Sequence, residues 1–446
     1  MSRKSLIKNK IGLICVISLA FFSFLGLFFN QVSLSENYAY IYLCIILLAY
    51  VCSLFVIFDI LERNFLDPMF LFCFSTTIFV LSRPILYIVL DKKPIEATDY
   101  TILGLLNATS AVILIYSIVF VFIFSFSCSK KITNLFNYNI KLNGFNIVSV
   151  CFFIFAAFCS VKFLYESYSA AQKIGAASYF DLASNGDFYH HIIYFSILKM
   201  VAIFAALILG TKKCYTYTSF FIFISSIGFI LIGLRGYPVS FLFSFLVILS
   251  LSRKIPISSL VIIGLLTILM AGMVLEYRIG YQIFDSKLEL VFMPIFQQGA
   301  TFEAVYGAVN NIDALRECVS FFDFYFSGVN FGACIDSARG VYFSEGGGFA
   351  SSFFAEVWYL GWIGVVTYSL GLAIALSLVS KVYKSILNKD QEFSERFGIF
   401  LLITSIPNIV YIGRSSSYDA ILKVFLVVII LVILSLFIKK LSRSVN

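Results

Sequence analysis

Five arginines, Arg235, Arg278, Arg316, Arg339 and Arg414, stand at or just beyond the ends of long apolar runs. A guanidinium stays charged at any physiological pH, and its planar fork of donors fits a phosphate bidentately. Glycine follows closely in Arg235-Gly236, Arg278-Ile-Gly280 and Arg339-Gly340, and Gly413 precedes Arg414. Glycine lets backbone N–H groups approach a phosphate and tolerates unusual dihedrals. Arg235 interrupts a continuous apolar stretch from Phe220 to Leu251, which sets it at the tip of a tight helical hairpin. Plainer readings stand beside these: Arg235 as a turn marker against headgroups, Arg278 as the salt-bridge partner of Glu276, Arg316 as a solvated loop residue. Together the five predict a site for an anionic, phosphorylated substrate carried on a lipid.

Four further cations, Arg83, Lys162, Lys199 and Lys423, fall inside apolar runs. Charge within a span is costly and points to function. Lys162 and Lys423 lie near enough to run ends to snorkel toward headgroups. Arg83 and Lys199 lie deeper with no acid at equal depth, so an external anion such as a lipid diphosphate is expected to balance them. Candidate general bases are Glu276, Glu303, Glu345 and the adjacent His190 and His191, the only histidines. Interfacial anchoring is the plainer reading of the histidines, and pairing with an arginine is the alternative for any of the carboxylates. Trp358 and Trp362 read either as an aromatic belt or as stacking surfaces for sugar rings. Cys318 and Cys334 lie in a long outer loop where a disulfide is permitted if that face is oxidising; the other cysteines read as small apolar fillers. There is no phosphate-binding glycine loop, dinucleotide fingerprint or zinc-type spacing, so no metal or cofactor is expected.

The elements that must hold these residues are membrane helices. Charged residues make up 13% of the chain and hydrophobic ones 61%, against roughly 25% charged in a soluble domain. Apolar runs near the ~20 residues that a spanning helix needs recur throughout. They fall at 11–29, 38–58, 69–90, 101–127, 147–165, 192–210, 218–234, 237–252, 257–276, 353–380, 397–413 and 420–438. The prediction is an all-α polytopic membrane protein of about twelve spans, within a range of roughly ten to fourteen, forming one transmembrane domain over 1–446. The first run is too long for a secretory signal and no small-residue cleavage site follows it, so it reads as a retained helix. Lysine concentrates in segments such as Lys130-Lys131, Lys212-Lys213 and Lys439-Lys440, which places both termini in the cytoplasm. The net charge of +8 is then a topology signal and calls for no nucleic acid. Two outer loops are long: a polar one at 166–191, and 277–352, which holds Phe321-Phe-Asp-Phe-Tyr-Phe and a helix-like stretch from Gln298 to Asn311. Loops of that length are functional or disordered, and this aromatic content argues against disorder. The second is expected to fold as a cap over the outer mouth of the bundle.

Several stretches together resemble the O-antigen polymerases, oligosaccharide repeat-unit polymerases of Gram-negative inner membranes. They are Gly233-Leu-Arg-Gly236, Glu276-Tyr-Arg278, the long outer loop, Gly346-Gly-Gly-Phe-Ala-Ser-Ser-Phe-Phe-Ala-Glu-Val-Trp-Tyr-Leu-Gly-Trp-Ile-Gly364, and Gly413-Arg414, within residues 230–420. One departure is that the first long outer loop carries no arginine, as some members do. The resemblance implies a GT-C-like, metal-independent membrane glycosyltransferase acting in lipopolysaccharide biosynthesis. It would move a growing glycan from undecaprenyl diphosphate to a new undecaprenyl-diphosphate-linked unit at the periplasmic face. Arg235, Arg278, Glu276, Glu345 and His190 would be catalytic; Arg83, Lys199, Arg339 and Arg414 would hold the diphosphate; Trp358 and Trp362 would meet the glycan. The resemblance admits a chain-length regulator protein as a partner. Two rival readings are a flippase or exporter for the same lipid-linked sugars and an O-antigen ligase. A flippase needs alternating access and predicts repeated halves and short loops, which the 277–352 segment argues against.

Overall fold

The computed structural model describes residues 3–29, 35–90, 100–125, 146–174, 188–232, 236–279, 301–320, 352–388, 395–414 and 421–430, with 295, 299, 334, 335, 337 and 433. Of 3–6, 90, 146, 173–174, 188–192, 270–272 and 274–279 it describes the backbone alone. Among these residues there is no strand. Among the residues described with side chains, seven helices are long and apolar enough to cross a membrane; Gly236–Ser250 is a shorter apolar helix, and Ile193–Leu209 and Ile257–Leu269 are apolar parts of longer ones. Where the predicted apolar runs fall on described residues they are largely helical, and the protein is a helical, multi-pass membrane protein. In lipid only a helix or a closed barrel satisfies its own backbone polar groups.

The helices gather into two compact units. The first comprises Met1–Cys128, Ile295–Leu378 and Tyr411–Leu422. Its helices are α1 (Arg3–Phe28), α2 (Glu36–Ile60), α3 (Pro68–Thr76), α4 (Ser82–Leu90) and α5 (Ile102–Ser125). The π-helical turn Thr77–Leu81 joins α3 to α4. Its cause lies three residues beyond it: Pro84 has no N–H to give and its ring crowds the preceding turn, so the backbone widens there. Asp67 caps α3 by accepting from the N–H of Met69, with Pro68 at the first helical position. Helix α5 is buried from Gly104 to Ser117, with α1 and α2 packed along it. An apolar helix with no solvent face belongs at the centre of a bundle.

The second unit comprises Ser129–Pro294, Val379–Val410 and Lys423–Asn446. It contains α6 (Asn146–Ile174), α7 (Phe188–Leu209), α8 (Lys212–Ser226), α9 (Gly228–Leu231), α10 (Gly236–Ser250) and α11 (Ile257–Ile279). Helix α6 outlasts its apolar run, which ends at 165, because Glu166 pairs with Lys162 one turn back and Gln172 donates to the Tyr168 hydroxyl. Helix α8 starts at Lys212, ahead of the predicted 218, where Thr211 accepts from the N–H of Cys214.

The remaining helices follow in chain order: α12 (Thr301–Asn310), α13 (Ile312–Cys318), α14 (Phe353–Tyr359), α15 (Gly361–Leu387) and α16 (Glu395–Val410). The first three belong to the first unit and α16 to the second. The predicted single span 353–380 is broken between α14 and α15, where Gly361 has φ +66°. Such a dihedral suits glycine and ends a right-handed helix.

Candidate active site

In the first unit α12 packs against α5, α14 and the π turn. It comes from the long segment 277–352, and Thr301, Phe302, Glu303, Ala304, Val305, Gly307 and Ala308 are all buried. Ala304, Gly307 and Ala308 leave room for neighbouring backbones to come close, the usual basis of helix contact in lipid. The Thr301 hydroxyl donates to the carbonyl of Phe79 within the π turn. Two residues on, the Glu303 carboxylate accepts from the Arg83 guanidinium on α4. The Arg83 side chain is 1% exposed and that of Glu303 0%.

The sequence reading finds no acid at the depth of Arg83, and this is corrected: Glu303 supplies one, because α12 inserts into the bundle. Arg83 also donates to the Tyr100 hydroxyl at 3.2 Å. The Tyr100 ring lies 5.1 Å from that of Tyr306, whose hydroxyl accepts from the Thr101 N–H at 3.3 Å. At the far end of α12 the Asn310 amide donates to the Gly104 carbonyl at 3.2 Å. A buried ion pair adds little net stability over an apolar pair, but removing one partner costs about 3–5 kcal/mol by stranding the other charge.

The Gly413-Arg414 motif lies in a 3₁₀ turn, Ile412–Arg414, packed on the π turn. The Gly413 N–H donates to the Ser75 hydroxyl at 3.1 Å, and its carbonyl accepts from Ser352 at 3.2 Å. Arg414 is half-buried beside this anchor, and α14, which begins after Ser352, carries buried Glu356 and half-buried Trp358. Trp358 and Trp362 have centroids 6.3 Å apart; Trp362 is 55% exposed and lies 6.0 Å from Phe24 of α1. Cys318 and Cys334 form a disulfide, with Cα atoms 5.7 Å apart. Arg316 is exposed and 3.8 Å from Asp313, as its reading as a solvated residue expects.

In the second unit Lys199 is half-buried, its ammonium 5.8 Å from the Phe241 ring centroid. Phe241, Phe195, Phe163 and Phe229 form one aromatic cluster, and Tyr237 at the start of α10 stacks on Phe229 of α9, ring centroids 4.7 Å apart. Lys162 pairs with Glu166 at 2.6 Å rather than only snorkelling. Glu276 and Arg278 fall in the last turn of α11 and His190 in the first turn of α7, but their side chains lie outside the described residues. So do Arg235, Arg339 and Glu345 in full. Among the described residues no three His, Cys, Asp or Glu side chains gather as metal ligands would.

A curated Escherichia coli protein named "O-antigen polymerase" is 33% identical to the chain over 393 residues, covering 83% of this chain and 84% of that protein. The chain belongs to the O-antigen polymerase family. No family model and no solved structure matches it. The similarity to this polymerase covers far more of the chain than the stretch 230–420 that carries the resemblance in sequence.

Within this family frame, sequence reasoning weighs Glu303 as a base or as an arginine's partner, and does not identify Arg83 as that arginine. The signal was available: one acid in an otherwise apolar helical stretch, and one arginine in an otherwise apolar span. Tyr100, Tyr306, Asn310 and Ser352 carried no such local mark, since each acts through a contact distant in sequence.

Proposed function

We propose that the chain lengthens a lipid-linked glycan at the outer face of the bacterial inner membrane, on a GT-C-like helical frame with both termini in the cytoplasm. The growing glycan leaves undecaprenyl diphosphate and joins a hydroxyl of a new undecaprenyl-diphosphate-linked repeat unit. The bond from the anomeric carbon to the phosphate oxygen breaks, and its electron pair departs on the diphosphate. The acceptor oxygen bonds to that carbon and gives its proton to a base. Charge therefore grows on the leaving diphosphate, where preorganised cations contribute most to lowering a barrier.

Arg235 and Arg278 take that role, with Arg339, Arg414 and Lys199 holding the diphosphate. Glu276, Glu345 or His190 accepts the proton, and Trp358 and Trp362 offer faces to the sugar. Guanidinium groups here do the work of a cation, and the reaction as written uses neither metal nor cofactor. A chain-length regulator is a proposed partner. Family membership carries this reading, and the anchoring of Gly413, the residue before Arg414, by Ser75 and Ser352 supports it.

The test is lipopolysaccharide banding in a deletion strain complemented with each variant. Loss of a polymerase leaves single repeat units on the core, loss of a ligase leaves none, and loss of a flippase traps units inside. Arg235→Ala and Arg278→Ala are expected to abolish long polymer while the protein remains inserted. Normal ladders from both variants would refute their assignment.

A further inference from the structure

We infer that Arg83 and Glu303 form a latch fastening α12 into the membrane bundle, so that both are positioning residues and neither is a ligand of the diphosphate. The inference rests on the proposed reaction for its activity readout and on geometry for its content. A substrate ligand needs a face open to the substrate, and these side chains are 1% and 0% exposed. The guanidinium is engaged by Glu303 and Tyr100. Its stem is enclosed as well: a Cβ on Gly299 would stand 2.8 Å from Arg83 Cγ and 3.1 Å from its backbone nitrogen.

The pair is one fastening in a series along α12. Thr301 donates to the Phe79 carbonyl, Tyr306 accepts from Thr101, and Asn310 donates to Gly104. What this series holds in place reaches the candidate site. Asn311 joins α12 to α13, which ends at the Cys318–Cys334 disulfide. The Tyr359 hydroxyl of α14 donates to the Val319 carbonyl just beyond. Glu356 and Trp358 sit on that same α14, and Ser352 at its start donates to Gly413. A shift of α12 is therefore passed to the elements beside Arg414.

The test uses the full-length protein in proteoliposomes with synthetic lipid-linked repeat units, measuring initial rate against donor concentration. Glu303→Gln is expected to lower kcat on the order of 100-fold, with KM for the donor held within about threefold. Two double variants remove the guanidinium from position 83 yet leave no stranded charge: Arg83→Glu with Glu303→Arg, and Arg83→Met with Glu303→Leu. Both are expected to recover turnover to within about tenfold of the unaltered protein. Double variants that insert yet stay more than tenfold slow, with a raised KM for the donor, would overturn the latch and make Arg83 a substrate ligand. If neither double variant inserts, Glu303→Gln decides alone: kcat unchanged overturns the latch, and kcat lost at constant KM sustains it. If the unaltered protein makes no polymer, the reaction assignment fails, and thermal unfolding in detergent tests the latch instead. A melting temperature lowered by either single change and restored by the charge swap sustains it; unchanged single variants overturn it.

Discussion

At Gly413 and Gly361 the same residue type answers two different physical demands. A Cβ at Gly413 would stand 2.7 Å from Phe79 Cβ and 3.3 Å from the Ser75 carbonyl oxygen, with backbone on one side and a fixed ring stem on the other. Gly361 has φ +66° but nothing within 4 Å of a Cβ. Gly413→Ala must push the 3₁₀ turn off the π turn, and overpacking of this kind costs about 1–3 kcal/mol. Gly361→Ala meets only the backbone penalty of the left-handed region, about 1–2 kcal/mol, and Gly361→Asn less. Melting in detergent and polymer banding should separate them: Gly413→Ala shortens polymer because Arg414 moves, while Gly361→Ala lowers the melting temperature and leaves the banding pattern. The sequence pairs Gly413 with Arg414 as a phosphate-approach motif. Its clearance against Phe79 was not legible, since residues 79 and 413 meet only through the fold.

Among the helices, those that were legible are those whose cause is local. Apolar length marks spans because lipid leaves a backbone no other way to satisfy itself, and the expected helix from Gln298 to Asn311 is α12. Pro84 goes unread in the sequence, where 69–90 is one uninterrupted run; the π turn beside it, which receives Thr301, emerges only in the fold. The long segment 277–352 is expected to cap the bundle, and α12, which comes from it, contributes a buried face to the first unit. That contribution depends on Glu303 finding Arg83, a pairing across 220 residues that no periodicity reports. The ion pair Lys162–Glu166, by contrast, is an i,i+4 contact visible in the sequence. It extends α6 past the apolar run, and Glu166→Gln is expected to leave insertion and polymer length unchanged on immunoblot and banding.

On the scale of the whole molecule, the disulfide tests which face of the membrane the long segment occupies. Cys318 and Cys334 are 16 residues apart in sequence. Closing a loop of that size removes about 3 kcal/mol of chain entropy from the unfolded state in the simplest model. Cys318→Ser and Cys334→Ser are expected to lower the melting temperature to similar extents, and the double variant no further, because either change opens the same loop. In the unaltered protein both thiols should resist maleimide until a reductant is added, since disulfides persist in oxidising compartments and are rare in the cytosol. Labelling of both without reductant in intact cells with an oxidising periplasm would place the segment on the cytoplasmic side, and the outward-facing reaction would fall with it. The division into two compact units had no counterpart in composition, because apolar helices look alike whichever neighbours they choose.

The long separation between Arg83 and Glu303 also bears on biogenesis. Ribosomes add about 5–20 residues per second, so a span bearing Arg83 emerges roughly 10–45 s before its counter-ion exists. During that interval a bare guanidinium must be tolerated by the nascent chain's surroundings, by water drawn in at the insertion machinery or by a lipid phosphate standing in. Delay in synthesis between codons 83 and 303 would lengthen that exposed period, and the quality-control proteases of the membrane are the natural place for its effect to register.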